Sequence, residues 1–149
     1  MTTLSCEDGN KNYTEEFDSV YYYLKEGVNE FDFYSVNSAK VQTITVGRGG
    51  HGLNGVSTIN LVPFTQAEMD EYNATIDGDY KLLAPEYYDM PATVAFEDGV
   101  EYRNVDVVFK GNMSELAKTG EYMLPIRLEA DNGTVNDNKN IIYFKPNII

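Results

Sequence analysis

The segment from Tyr122 to Ala130 restricts this chain more than any other. Tyr122, Leu124, Ile126, Leu128 and Ala130 alternate with Met123, Pro125, Arg127 and Glu129. A period of two over nine positions marks a β-strand with one apolar face, and no amphipathic helix fits it. Pro125 lacks an N–H and cannot serve a ladder on both sides, so the pattern predicts an edge strand or a bulge.

The same period recurs along the chain. Val20, Tyr22 and Leu24 alternate with Ser19, Tyr21 and Tyr23, and Phe31 and Phe33 alternate with Asp32 and Tyr34. Gly27 between these runs predicts a hairpin turn. Val41 to Val46 is a β-branched run that closes at Gly47 in a glycine-rich loop, and Val56 to Val62 is a further strand stopped by Pro63. Thr93 to Phe96 and Val100 to Phe109 flank Asp98-Gly99, which reads as a second hairpin. In the latter run Val105, Val107 and Phe109 share a face. Asn132-Gly133 is a turn, and Ile141 to Phe144 is the last strand.

One helix signal interrupts this pattern. Thr65 with Glu68 three residues on is a capping box, which predicts a short helix near 65–73. A helical turn is expected at Ser114 to Ala117, and Ala74 to Met90 reads as loop. About seven to nine short strands and one short helix describe an all-β, immunoglobulin-like sandwich. Residues 1–14 are expected to be a tether and 15–149 the sandwich.

The chain has 149 residues, enough for one domain that buries roughly 68–70% of its unfolded surface without disulfide or metal. No apolar run approaches the roughly 18 residues of a membrane span. Lys and Arg total 11 against 24 Asp and Glu, a net charge of −13. That field repels phosphate backbones, so no nucleic-acid partner is expected. The lone cysteine, Cys6, excludes an internal disulfide, and the lone histidine, His51, has no ligand partner at metal spacing.

Thr3-Leu4-Ser5-Cys6 looks like the end of a bacterial lipoprotein signal, with Glu7-Asp8 following as an acidic export tag. The reading predicts acylation at Cys6, a lipid anchor as the sole membrane contact, and residence at the outer membrane facing the cell surface. The apolar end Pro146-Asn147-Ile148-Ile149 is read as a chain that continues into a further domain.

Catalytic patterns are missing. There is no Gly-x-Ser-x-Gly elbow and no Gly-x-x-x-x-Gly-Lys-Ser/Thr loop, and His51 has no orienting group in its sequence neighbourhood. Carboxylate pairs such as Glu15 with Glu16 or Glu97 with Asp98 stand in no glycosidase motif. The chain is therefore expected to be no enzyme and to need no cofactor. Calcium is the one metal considered, through Asp131, Asn136 and Asp137 on the loop before the last strand, although the spacing fails the EF-hand pattern. Glycan contact is assigned to tyrosines: an outward stripe of Tyr21 and Tyr23, and the loop pair Tyr87 and Tyr88.

From about Leu61 onward the order of short motifs resembles a known family. Val62 to Phe64, Tyr72-Asn73, Leu82-Leu83-Ala84-Pro85, Tyr87-Tyr88, Val94-Ala95-Phe96 before Asp98-Gly99, Val105-Asp106-Val107, Tyr122-Met123-Leu124-Pro125-Ile126 and Asn138-Lys139-Asn140 carry it. The family the chain resembles is a Bacteroidetes immunoglobulin-like domain of unknown function found at the N-terminus of exported surface lipoproteins. Many of these serve polysaccharide utilisation, and some carry family 18 endo-β-N-acetylglucosaminidases. Ala84 departs from the leucine common there. The resemblance implies a non-catalytic spacer and interaction module for glycan capture, partnered by its own downstream domain and by glycan or other surface lipoproteins. The alternative is an accessory domain of an endo-acting glycoside hydrolase. A further alternative is a carbohydrate-binding module acting through the tyrosines.

Overall fold

The computed structural model describes residues 19–34, 38–50, 55–131 and 133–149. Cys6, Glu15, Glu16 and His51 lie outside them. The elements run β1 (Val20–Tyr23), β2 (Gly27–Phe33), β3 (Ser38–Gly49), β4 (Ser57–Pro63), α1 (Gln66–Ile76), β5 (Lys81–Leu82), a 3-10 turn (Pro85–Tyr87) and β6 (Tyr88–Asp89). They continue with β7 (Thr93–Phe96), β8 (Tyr102–Gly111), α2 (Ser114–Ala117), β9 (Tyr122–Ala130), β10 (Thr134–Val135) and β11 (Ile141–Ile148).

Two sheets face each other, as an all-β sandwich requires. One has the order β2-β11-β9-β4-β7, with β5 also pairing with β9; the other has the order β10-β1-β3-β8-β6. The core lies between them: Phe33, Ile59, Leu61, Phe96, Val107, Phe109, Leu124, Ile126 and Phe144 are all buried in one cluster. Each comes from the apolar face of its strand, which is why alternation located the core.

Among the described residues no strand is hydrogen-bonded to the next one in sequence. β1 belongs to the five-stranded sheet and β2 to the six-stranded one, so Leu24 to Glu26 bridge the sandwich. Gly27, with φ 88°, starts the new strand. β7 and β8 likewise lie in opposite sheets on either side of Asp98-Gly99. Both expected hairpins are therefore sheet-to-sheet crossings. The glycines are needed as expected, since they supply positive φ, but the flanking strands diverge instead of pairing.

The expectation for Pro125 is also corrected. β9 is a central strand, paired with β11 on one side and with β4 and β5 on the other. Pro125 sits where β4 ends: its carbonyl accepts from Phe64 N at 3.0 Å, and one step on Met123 O accepts from Leu83 N at 2.9 Å. The missing N–H faces Phe64, just past the last residue of β4, so the proline costs only the reciprocal bond of that final rung, at the handover from β4 to β5.

α1 begins as expected at Thr65, which closes a capping box with Glu68, and runs on past Asn73 to Ile76. It ends because Asp77 takes the left-handed conformation, φ 54°. The Asn73 amide then clamps Tyr80 in both directions, at 2.8 and 3.0 Å. β5, β6 and β10 have two residues each and account for the strands beyond the expected number. The glycine loop also starts later than expected, because β3 carries Gly47 and Gly49 within it.

Candidate functional site

The sequence-predicted glycan contacts separate on folding. Tyr21 and Tyr23 are 1% and 0% exposed and point into the core, so the outward stripe is corrected: Tyr22 takes the other face. The Tyr21 hydroxyl is hydrogen-bonded to Ser57 across the sandwich. Tyr87 and Tyr88 are half-buried against the core, with Tyr88 pairing Phe109 at the edge of the five-stranded sheet. Burial pushes the Tyr88 phenol up from its ordinary pKa.

The calcium candidates do not share a common focus. Asp131 accepts from Asn60 Nδ2 at 3.3 Å, whereas the Asn136 side chain is turned to the Asn138 amide at 2.9 Å. Asp137 is exposed. Among the described residues no three His, Cys, Asp or Glu side chains gather to hold a metal. Asp98 is a turn clamp, accepting from Gly55 N at 2.6 Å.

A different set of side chains converges on the outer face of the six-stranded sheet. α1 is held there by Glu68, whose carboxylate meets Arg127 Nε of β9 at 2.7 Å while also closing the capping box. Burial alone would raise the Glu68 carboxyl, but the Thr65 amide and the Arg127 guanidinium outweigh it and hold its pKa below the ordinary value. One turn on, Tyr72 stacks on Tyr143 of β11 with ring centres 4.4 Å apart, and Phe64 meets Tyr143 edge-on at 5.7 Å. Between helix and sheet these residues line an open groove of about 540 Å³, completed by Glu71, Thr75 and Ile141. Burial raises the pKa of Tyr72, with Tyr80 nearby adding to it, and that of Tyr143, with Tyr72 adding to it.

This groove offers aromatic faces, two phenols and the carboxylates of Glu68 and Glu71. Its phenols stay protonated near neutral pH and serve as donors, and Glu68 is committed to Arg127. Aromatic rings with a polar rim suit a ligand that has one apolar face and many hydroxyls. The strand read at Ile141 to Phe144 contains Tyr143, and its period of two could have set Tyr143 opposite Ile142 and Phe144; the capping box placed Tyr72 on α1. What sequence could not supply was that α1 folds back over β11.

Arg48 was also missed, and it was readable. It follows Ile44 and Val46 in the inward register of β3 and is 0% exposed. Its guanidinium donates to the carbonyls of Val100, Gly55 and Glu97 at 3.2, 3.1 and 2.9 Å and lies 5.3 Å from the Phe96 ring centre. It closes one end of the sandwich.

Several solved structures share this fold. A candidate carbohydrate-binding protein from Bacteroides ovatus ATCC 8483 superposes with TM-score 0.70 at 19% identity, over 85% of this chain and 36% of its own. A Bacteroides ovatus protein of unknown function gives 0.68 at 13% identity, over 86% and 44%. EndoBT-3987 of Bacteroides thetaiotamicron, solved with a Man5GlcNAc product, gives 0.61 at 11%, over 86% and 30%. The chain thus spans between about a third and a half of the length of these proteins. No curated protein matches it. A family model described as a “-like, N-terminal domain” matches residues 10–135, which is most of the chain, and the chain belongs to that family of N-terminal domains.

Proposed function

We propose that this domain is the non-catalytic N-terminal spacer and interaction module of a bacterial cell-surface lipoprotein that captures or uses glycans. The observation that carries the reading is membership of an N-terminal domain family. A candidate carbohydrate binder that shares this fold is more than twice the chain's length. Connections that alternate between the sheets tie each strand to partners distant in sequence, which suits a module that keeps its shape under load. Ser5-Cys6-Glu7-Asp8 supports the anchor; an acyl chain contributes about 0.8 kcal/mol per buried CH₂. Surface labelling of intact cells tests it. The native protein should label and its Cys6→Ala variant should not, and equal labelling of both would end the lipoprotein reading.

The module's own glycan contact, in this reading, is the Tyr72–Tyr143 groove. Calorimetry of the domain against host N-glycans and plant polysaccharides should show heat. Tyr143→Ala should cut affinity by about tenfold, the scale of one lost aromatic contact, and Tyr87→Ala should leave it unchanged. No heat with any glycan would remove the contact while leaving the spacer role standing. The likeness to EndoBT-3987 favours a second reading, an accessory domain of an endo-acting glycosidase whose catalytic residues lie beyond Ile149. An Asp-x-x-Asp-x-Asp-x-Glu segment downstream would establish it.

A further inference from the structure

The five-stranded sheet has a gap in one of its rows, independent of the glycan reading. β3 has twelve residues, and β8 pairs with ten of them, Ser38 to Gly47. On its other side β1 pairs only with Val46 to Gly49, because the chain leaves the sheet after Tyr23. Arg48 N donates to Glu101 O, which assigns the even residues of β3 to the β8 side, and Thr45 O accepts from Leu24 N, which assigns the odd residues to the other. Beyond Thr45, the backbone groups of Thr43, Val41 and Ala39 face outward, and among the described residues no strand pairs with them.

A hollow of about 500 Å³ lies beside this edge. Gln42 and Ile44 line it from one face of β3 and Thr43 and Thr45 from the other, so it straddles the edge where a continued β1 would run. Its inner wall is apolar, with Tyr23, Ile142 and Phe144. The Tyr23 hydroxyl is the one described buried side-chain polar atom without a hydrogen-bond partner. The charge lining it is positive, in a chain whose net charge is negative. In a chain of net charge −13, Lys25 is the only charged residue lining the hollow among the described residues. Asp106 is held by the Thr43 hydroxyl at 2.9 Å.

We propose that the edge from Ala39 to Thr43 is a strand-addition site for an extended segment of another polypeptide, carrying an apolar residue for the hollow and a carboxylate for Lys25. Backbone pairing would supply register and affinity, the side chain in the hollow would supply selectivity, and Val41, 52% exposed on the outer face, would be flanked on its bare side. Unprotected edges of this kind invite added strands.

The test uses the whole chain and a capped heptapeptide of alternating valine and threonine ending in glutamate, with a lysine-ended version as control. Amide hydrogen exchange at Val41 and Thr43 should slow by about tenfold with the first peptide and less with the second. Thr43→Pro should abolish the effect without unfolding, because its N–H faces away from β8. Lys25→Glu, which leaves the backbone untouched, should reverse the peptide preference. Unchanged exchange at saturating peptide, with the β8-bonded amides of Gln42 and Ile44 still slow, would overturn the proposal. So would protection of Val41 and Thr43 without peptide, whether independent of concentration, which means the chain covers its own edge, or rising with it, which means a second copy does.

Discussion

The two ends of β3 solve the same problem differently. At Val46 and Gly47 the strand is flanked by β1 and β8, β1 follows it on to Gly49, and a buried charge, Arg48, has carbonyls at all three guanidinium nitrogens. At Ala39 to Thr43 one flank is bare, and the buried Tyr23 hydroxyl nearby has no partner. The larger desolvation cost lies at the closed end, yet that end is the better satisfied. What decides between them is the length of β1. Its four residues reach Val46 and stop, so the closed end inherits a complete ladder and the open end does not.

The sharpest way to break this comparison is Arg48→Met. Removing one member of a satisfied buried charge network leaves three carbonyls, those of Gly55, Glu97 and Val100, without their donor. The expected loss is about 3–5 kcal/mol of unfolding free energy, read from urea denaturation. A loss below about 1 kcal/mol, the ordinary effect of a single substitution, would mean that Arg48 does not close the sandwich.

Gly47→Ala probes the same end at smaller scale. The Tyr22 ring lies across Gly47 on the neighbouring strand, and a Cβ there would stand 2.5 Å from Tyr22 Cζ. The ring must swing away, costing about 1–3 kcal/mol as overpacking does. Thr43→Ala on the bare half should cost less, within about 0.5 kcal/mol apart from its bond to Asp106. Melting temperatures of the two variants compare the halves directly, and equal shifts would erase the distinction.

How much of this was legible follows from what alternation encodes. Where a strand has one apolar and one polar face, as in Val105-Asp106-Val107, the sequence placed both strand and core face correctly. The run Val20 to Tyr23 has tyrosines on both faces, so its period carries no polarity, and the inward turn of Tyr21 and Tyr23 could not be read. Turn residues were legible as turns but not as hairpins. The positive φ of Gly27 and Gly99 serves a sheet crossing as well as a tight return. Partners are set by contacts between residues far apart in sequence, which no local signal specifies. Pro125 shows the same limit: the rule that keeps proline out of central ladders predicted an edge strand, and the central placement needed two partner strands meeting opposite one residue. Of the candidate site, the capping box gave Thr65 and Glu68, while Tyr143 was passed over although the period of its strand could have set it on the outer face. Their meeting with Tyr72 and Arg127 depended on how the helix docks.

The one stabilising change expected is the most informative about the open end. Tyr23→Phe removes a hydroxyl that is buried without a partner while keeping the ring that walls the hollow. An unsatisfied buried group costs about 1–3 kcal/mol, so the variant should be more stable than the parent by about 1 kcal/mol at neutral pH, allowing for relaxation of the folded state. The pH dependence separates this from a simple packing gain. Burial raises the Tyr23 phenol well above its ordinary value of 10.0, so the folded state keeps the proton while the unfolded chain loses it. The stability tied to that proton is present below about pH 10 and declines as pH climbs above it. The phenylalanine variant has no such proton to lose, so the gap between variant and parent should widen above about pH 10. A variant less stable than the parent, or a gap constant with pH, would mean that the hydroxyl is satisfied in the folded domain and that the two ends of β3 differ less than their geometry indicates.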